Sequence, residues 1–177
     1  GLLLGLRARD VHGVGQHIDV SLLAGQVATM ANFITYFWKS GKPDRPVGAA
    51  HPQLVPYQPF RTADSYLIVA CLTERMWQGL CRAIGQPELA IDPRFRANAD
   101  RVLNRDTLIP ILEGALVKRG ASEWERALES ECVPAGRIQT LGDLYTDPQV
   151  LANEYIVAAE HPVVGEIRIP GIPVRLS

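Results

Sequence analysis

Phe60-Arg61-Thr62-Ala63-Asp64-Ser65-Tyr66-Leu67-Ile68-Val69-Ala70-Cys71-Leu72, followed by Thr73 and then residues 74–85 ending in Gly85, decides the class of fold. Tyr66 to Ala70 is a short apolar run, and Ala63-Asp64-Ser65 before it has the composition of a turn. Together they predict a β-hairpin whose second strand is buried. Residues 74–85 then read as an amphipathic helix closed by Gly85. Strands and helices of this kind, mixed rather than strictly alternating, predict an α+β fold.

Downstream, Asp92-Pro93-Arg94-Phe95 reads as a capped turn. Residues 104–119 read as a helix with Asn104 as N-cap and Gly120 as stop, and Pro110 should kink it or mark its true start. Ser122 and Glu125 have the spacing of a capping box and open a helix that runs to Glu131. A strand over 134–138, short helices near 141–145 and 148–154, and a hairpin of 156–159 with 167–169 about Gly165 complete this part.

Upstream, residues 20–38 carry no charge over nineteen positions. Leu23, Val27, Met30, Ile34 and Phe37 recur at three- and four-residue spacing, which predicts one long apolar helix over 22–38. Ser21, Gln26, Thr29, Asn32 and Thr35 make it a core or interface helix rather than a membrane span. Gly13-Val14-Gly15 reads as a turn and residues 16–21 as a short strand. Residues 39–59 hold Pro43, Pro46, Gly48, Pro52, Pro56 and Pro59, so they form a long loop, and long ordered loops often serve function. The chain starts at Gly1 inside what reads as a helix over 2–9, so it reads as part of a longer protein.

The 177 residues are 47% apolar and 21% charged, an ordinary globular composition. Eighteen Lys+Arg against nineteen Asp+Glu leave a net charge of −1, which supplies no basic surface for bulk binding of nucleic acid or membrane. Cys71, Cys81 and Cys132 are odd in number and form no CxxC, so neither a disulfide framework nor a zinc site is expected, and a reducing cytoplasm fits best.

Gly13-Val14-Gly15 lacks the third glycine of a dinucleotide loop and precedes its strand instead of following it. His17, Asp19 and Ser21 share one strand face, but residues two apart on a strand stand about 6.8 Å apart, too far for triad contacts. His51 has no partner at ligand spacing for a metal, which leaves a surface loop residue or a pocket-lining one. Arg94, Arg96, Arg101 and Arg105 interleave with Asp92, Asp100 and Asp106, the pattern of a solvated surface, with phosphate binding as a weaker reading.

Several phrases, in order, resemble family III of the CoA-transferases, which includes formyl-CoA transferases, carnitine CoA-transferases and alpha-methylacyl-CoA racemases. Gly13-Val14-Gly15-Gln16-His17-Ile18-Asp19-Val20-Ser21-Leu22 resembles the family's "G-x-G-Q-x-[IV]-D-V-S-L" element. Gly48-Ala49-Ala50-His51-Pro52-Gln53-Leu54-Val55-Pro56-Tyr57 is similar to its "G-N-x-H-P-x-x-x-P-Y" loop. Ala63-Asp64, Asp92-Pro93-Arg94-Phe95, Val133-Pro134-Ala135-Gly136 and Asp147-Pro148-Gln149-Val150 continue the series. Ser65 stands where the family has Gly and Ala49 where it has Asn, so the hairpin turn is expected to be of another type and the loop looser.

The resemblance implies an α/β family fold represented by its C-terminal part. Residues 1–45 would be a remnant of the large domain with the long apolar helix, 46–135 a small α+β domain, and 136–177 a segment returning to the large domain. It implies a transferase in which an Asp carboxylate attacks an acyl-CoA thioester and forms an anhydride, or alternatively a racemase moving the α-proton. The family's catalytic Asp falls before Gly1; neither Asp10, which follows the first helix, nor Asp19 matches it, so no catalytic residue is expected here and the chain alone should be inactive. Coenzyme A enters as a substrate, and no cofactor or metal is expected. Gly48, His51, Gln53 and Tyr57 correspond to a loop over the substrate. An acyl-CoA, a carboxylic acid and a second copy in an interlocked homodimer are the implied partners. The competing reading is a non-catalytic dimerisation or interaction domain.

Overall fold

A computed structural model describes residues 1–41 and 46–174 and divides the chain into two units, Gly1–Pro46 and Val47–Ser177. Pro43, read above as part of the long loop, lies outside the described residues with the rest of 42–45.

In the first unit, α1 (Leu2–His12) ends at Gly13, whose φ of +73° lets its N–H bond to the Arg9 carbonyl at 2.7 Å. Asp10, expected after this helix, lies inside it. The strand expected over 16–21 does not form, for these residues are extended without a ladder partner. Alternation sets which side chains share a face, but a strand also needs a neighbouring edge. The Ile18 side chain packs instead against Gly5, where a Cβ would collide with it.

Ser21 caps α2 (Leu22–Thr29) by accepting the Ala24 amide at 3.3 Å. The single long helix expected over 22–38 is in fact two, α2 and α3 (Ala31–Ser40), broken at Met30. There the Met30 N–H bonds to Val27 O at 3.1 Å, and the Thr29 hydroxyl donates to Gln26 O at 2.8 Å. A tightened turn and a competing hydroxyl end the first helix where apolar spacing alone would carry it on. No helix among the described residues is long and apolar enough to cross a membrane.

In the second unit, β1 (Tyr57–Arg61), β2 (Tyr66–Ala70) and β3 (Ala135–Arg137) form an antiparallel sheet in the order β1-β2-β3. The register pairs Tyr57 with Ala70, Arg61 with Tyr66, and Leu67 with Arg137. Leu67 and Val69 are fully buried on one face while Tyr66 and Ile68 are exposed on the other, as the period of two requires. The buried face joins a core with Trp77 and Leu80 of α4 (Glu74–Ala83), Leu108 and Leu112 of a helix at Arg105–Leu116, and Leu128 of one at Ala121–Ser130. Burying each such leucine contributes about 2 kcal/mol.

Two elements between α4 and that core escape the sequence reading, a 3-10 turn at Pro87–Ala90 and α5 (Asn98–Leu103). Next, α6 (Arg105–Leu116) starts well before Pro110 and runs through it, with the ring exposed. Asn104 stands at the N-cap position of this helix, as expected, but its side chain makes no cap bond; its amide donates back to Asp100 O at 2.9 Å and Arg94 O at 3.1 Å.

The capping box expected at Ser122 is also replaced. In α7 (Ala121–Ser130), the first N–H, from Ala121, donates to Asp64 Oδ1 of the β1–β2 turn at 2.9 Å. Thr62 donates its hydroxyl to the same oxygen at 3.0 Å. These two bonds, the Ala121 amide first, hold the Asp64 carboxyl below its ordinary pKa of 3.8. Gly120 allows the approach, because a Cβ there would lie 2.7 Å from Asp64 Oδ2. Ser65, in the place of the family's glycine, does not have a positive φ, so the turn requires no glycine at that position.

The chain continues through α8 (Leu141–Thr146) and α9 (Pro148–Ala152) to a hairpin of β4 (Ile156–His161) and β5 (Gly165–Pro170). Cys71 and Cys81 are buried free thiols, pushed up to about 12 by burial, and Cys132 is exposed.

Candidate functional site

The loop from Gly48 into β1 is ordered by its own side chains first. Gly48 has a φ of +66°, a left-handed turn that a side chain would strain. Three residues on, His51 folds its ring back over the chain, and its Nδ1 accepts the amides of Gln53 and Leu54, each at 3.1 Å. A nitrogen that accepts twice carries no proton, so the neutral imidazole bears its hydrogen on Nε2. The His51 amide donates to Tyr57 O at 2.8 Å, and the two rings stack with centroids 5.5 Å apart and 9° between planes. Tyr57 in turn is the first residue of β1, fixed opposite Ala70.

A second layer holds the loop from beneath. Asn98, opening α5, donates to Gln53 O at 2.8 Å and accepts the Val55 amide at 3.0 Å. Arg101 is 1% exposed; its Nε donates to Val55 O at 2.6 Å, and its Nη1 to Glu74 at 2.7 Å and Phe95 O at 3.0 Å. Its guanidinium lies 4.9 Å from the Trp77 ring centroid. Arg105 Nη2 donates to His51 O at 2.6 Å and Pro52 O at 3.2 Å. A buried cation is sustained only when paired and hydrogen-bonded; Arg101 is paired with Glu74 and bonded to carbonyls, and Arg105 is bonded to the His51 and Pro52 carbonyls.

The solvated surface expected of Arg94, Arg96, Arg101 and Arg105 is therefore corrected. Arg94 does pair with Asp92 at the surface, but Arg101 and Arg105 point inward as loop clamps. The clamps were missed because their partners are backbone carbonyls, which leave no mark in a sequence. Of the four expected loop residues, His51 and Tyr57 are brought into contact, Gln53 joins them through its backbone, and Gly48 supplies the turn before them.

Among the described residues, no group of three or more His, Cys, Asp or Glu is placed to hold a metal ion. His17 and Asp19 lie on the unpaired extended segment, and Ser21 serves as a helix cap, so these three form no triad. A groove of about 700 Å³ lies elsewhere, along Glu125, Arg126 and Glu129 of α7 and Ala135 of β3, and contains none of the four loop residues.

Residues 1–177 match CoA-transferase family III, and the chain belongs to that family. It is 34% identical over 176 residues to the mouse (Mus musculus) succinyl-CoA:glutarate CoA-transferase, covering 99% of this chain and 40% of that protein. It is 33% identical over 177 residues to the acetyl-CoA:oxalate CoA-transferase of Acetobacter aceti, covering 100% of this chain and 44% of that protein. Among solved structures, a CAIB/BAIF family protein from Brucella suis superposes with a TM-score of 0.76 at 34% identity, over 97% of this chain and 44% of that one. The chain thus spans less than half the length of the relatives it matches.

Proposed function

We propose that this chain is the C-terminal, substrate-covering part of a CoA-transferase that moves CoA between an acyl-CoA and a carboxylic acid. In this reading an Asp preceding Gly1 attacks the thioester carbonyl, forming an acyl-aspartyl anhydride and releasing CoA thiolate. The thiolate attacks the aspartyl carbonyl, giving an aspartyl-CoA thioester and the free first acid. The second acid's carboxylate then attacks the aspartyl carbonyl and displaces CoA thiolate, giving a second mixed anhydride. The thiolate attacks that acid's own carbonyl carbon, forming the new acyl-CoA and releasing the Asp carboxylate. Each step moves one acyl group and one thiolate, and the anhydride must be kept from water.

The observation that carries this reading is the stacked His51–Tyr57 pair on a pinned loop, in a chain belonging to this family. A rigid loop shields a reactive intermediate without being ordered at each turnover. The relatives named above act on glutarate and oxalate, so dicarboxylic acids are the acceptor class to try first. The large-domain remnant (1–45), small domain (46–135) and returning segment (136–177) belong to the same reading. So does the interlocked homodimer, supported by the exposed apolar side chains of α1 to α3. A cytoplasmic setting is supported by the free cysteines.

The test is CoA exchange from succinyl-CoA or acetyl-CoA to glutarate or oxalate, measured for the protein extended upstream of Gly1 and for residues 1–177 alone. Exchange by the extended protein only is expected. Exchange by the 177 residues alone would refute the assignment of the nucleophile, and none by either would refute the transferase reading. His51→Ala, Gln53→Ala and Tyr57→Ala in the extended protein should each change kcat or acid selectivity, and unchanged kinetics for all three would remove the loop from the site.

A further inference from the structure

We propose that Asn98, Arg101 and Arg105 are positioning residues that act on the reaction through His51. The inference rests on the reading of this loop as the substrate cover. Three side chains, from α5 and the start of α6, grip four residues of the loop. Arg105 holds the His51 and Pro52 carbonyls, Asn98 holds Gln53 O and the Val55 N–H, and Arg101 holds Val55 O.

With those points fixed, the Gln53 and Leu54 amides converge on His51 Nδ1 at 3.1 Å each. The convergence selects the tautomer and orients the ring parallel to Tyr57. Nε2 then has no partner among the described residues and is left as the ring's one donor, set before any substrate arrives. The His51 ring supplies none of the long-range contacts that hold the loop; side chains of α5 and the start of α6 do. The loop's donor is therefore under the control of residues more than 40 positions away in sequence.

Two readouts separate this from a merely structural role. The first is amide hydrogen exchange of the 177-residue chain. Asn98→Ala should lower protection of the Gln53 and Leu54 amides about tenfold, the worth of one lost hydrogen bond, with the Leu67 and Val69 amides unchanged. Arg105→Lys, which keeps the charge but loses the planar fork, should do the same to a smaller extent. The second is kinetics of the extended enzyme. Asn98→Ala should lower kcat about tenfold with KM nearly constant, and adding it to His51→Ala should cost nothing further, because the clamp acts through that ring. If Asn98→Ala fails to fold, Asn98→Asp retains the bond to the Val55 N–H and loses only the donor to Gln53 O. Protection that is unchanged in the variants would overturn the clamp. Protection that falls while kcat stays constant, in these variants and in His51→Ala, would overturn the substrate-cover reading and not the clamp. Losses that multiply in the double variant would overturn action through His51.

Discussion

Arg101 shows how little a side chain's charge says about its place. Its guanidinium satisfies three carbonyls and Glu74 in a site where only 1% of the residue is exposed. Arg101→Met should therefore cost about 3 kcal/mol, because Val55 O and Phe95 O lose their donor inside the core. Glu74→Gln should cost less, since Glu74 is half exposed. Urea midpoints of the two variants check the order. The sequence could not separate Arg101 from Arg94, seven positions apart in the same mixed-charge stretch, since the difference lies in which carbonyls the fold brings near. His51 and Tyr57 were singled out only by the resemblance of the Gly48–Tyr57 phrase to the family's loop, since His51 by its own chemistry read as either a surface loop residue or a pocket-lining one. Asp64 gives the residue-scale pH dependence. Its folded pKa lies below 3.8, so its contribution to stability is present at neutral pH and lost as pH falls through the folded value. Asp64→Asn should flatten the loss of stability below about pH 4, the ordinary carboxylate range, as followed by thermal unfolding against pH.

Elements were legible wherever one segment's own pattern decides them. The β1–β2 hairpin, α4 and the β4–β5 hairpin follow from apolar spacing and turn residues. Two of the failures share a cause, a partner that local pattern does not report, whereas the break of the expected 22–38 helix at Met30 is made by local bonds to Gln26 and Val27. The strand expected over 16–21 lacks a neighbouring edge, and α7 takes its cap from Asp64, 57 positions away, instead of from Ser122. Gly120→Ala tests that borrowed cap. Its Cβ would displace the Asp64 carboxylate, so the variant should unfold more easily, and the same change should cost less when Asp64 is already Ala. A double-mutant cycle in urea gives the coupling. Pro110 makes the opposite case, an exposed proline tolerated inside α6. Pro110→Ala should stabilise the chain by about 1 kcal/mol by removing the cost of an interior proline, visible as a raised unfolding midpoint.

At the scale of the molecule, the two units differ in what they bury. Val47–Ser177 contains the core built on Leu67, Trp77 and Leu112. In Gly1–Pro46, Gly5 alone is buried among the residues of α1 to α3, while Leu22 is 89% and Trp38 80% exposed. Apolar area of that extent seeks a partner. The 177-residue chain should therefore sediment as a concentration-dependent oligomer, and Leu22→Glu with Leu23→Glu should shift it toward monomer. Composition showed that these helices are apolar but could not show what they face. The three sulfurs make a clock for such experiments. Two are sealed and poorly ionised while the third stands in water, so an alkylating reagent should mark Cys132 within the native state and reach Cys71 and Cys81 only at the pace of global opening. Mass spectrometry of the labelled chain would then time unfolding without any added probe.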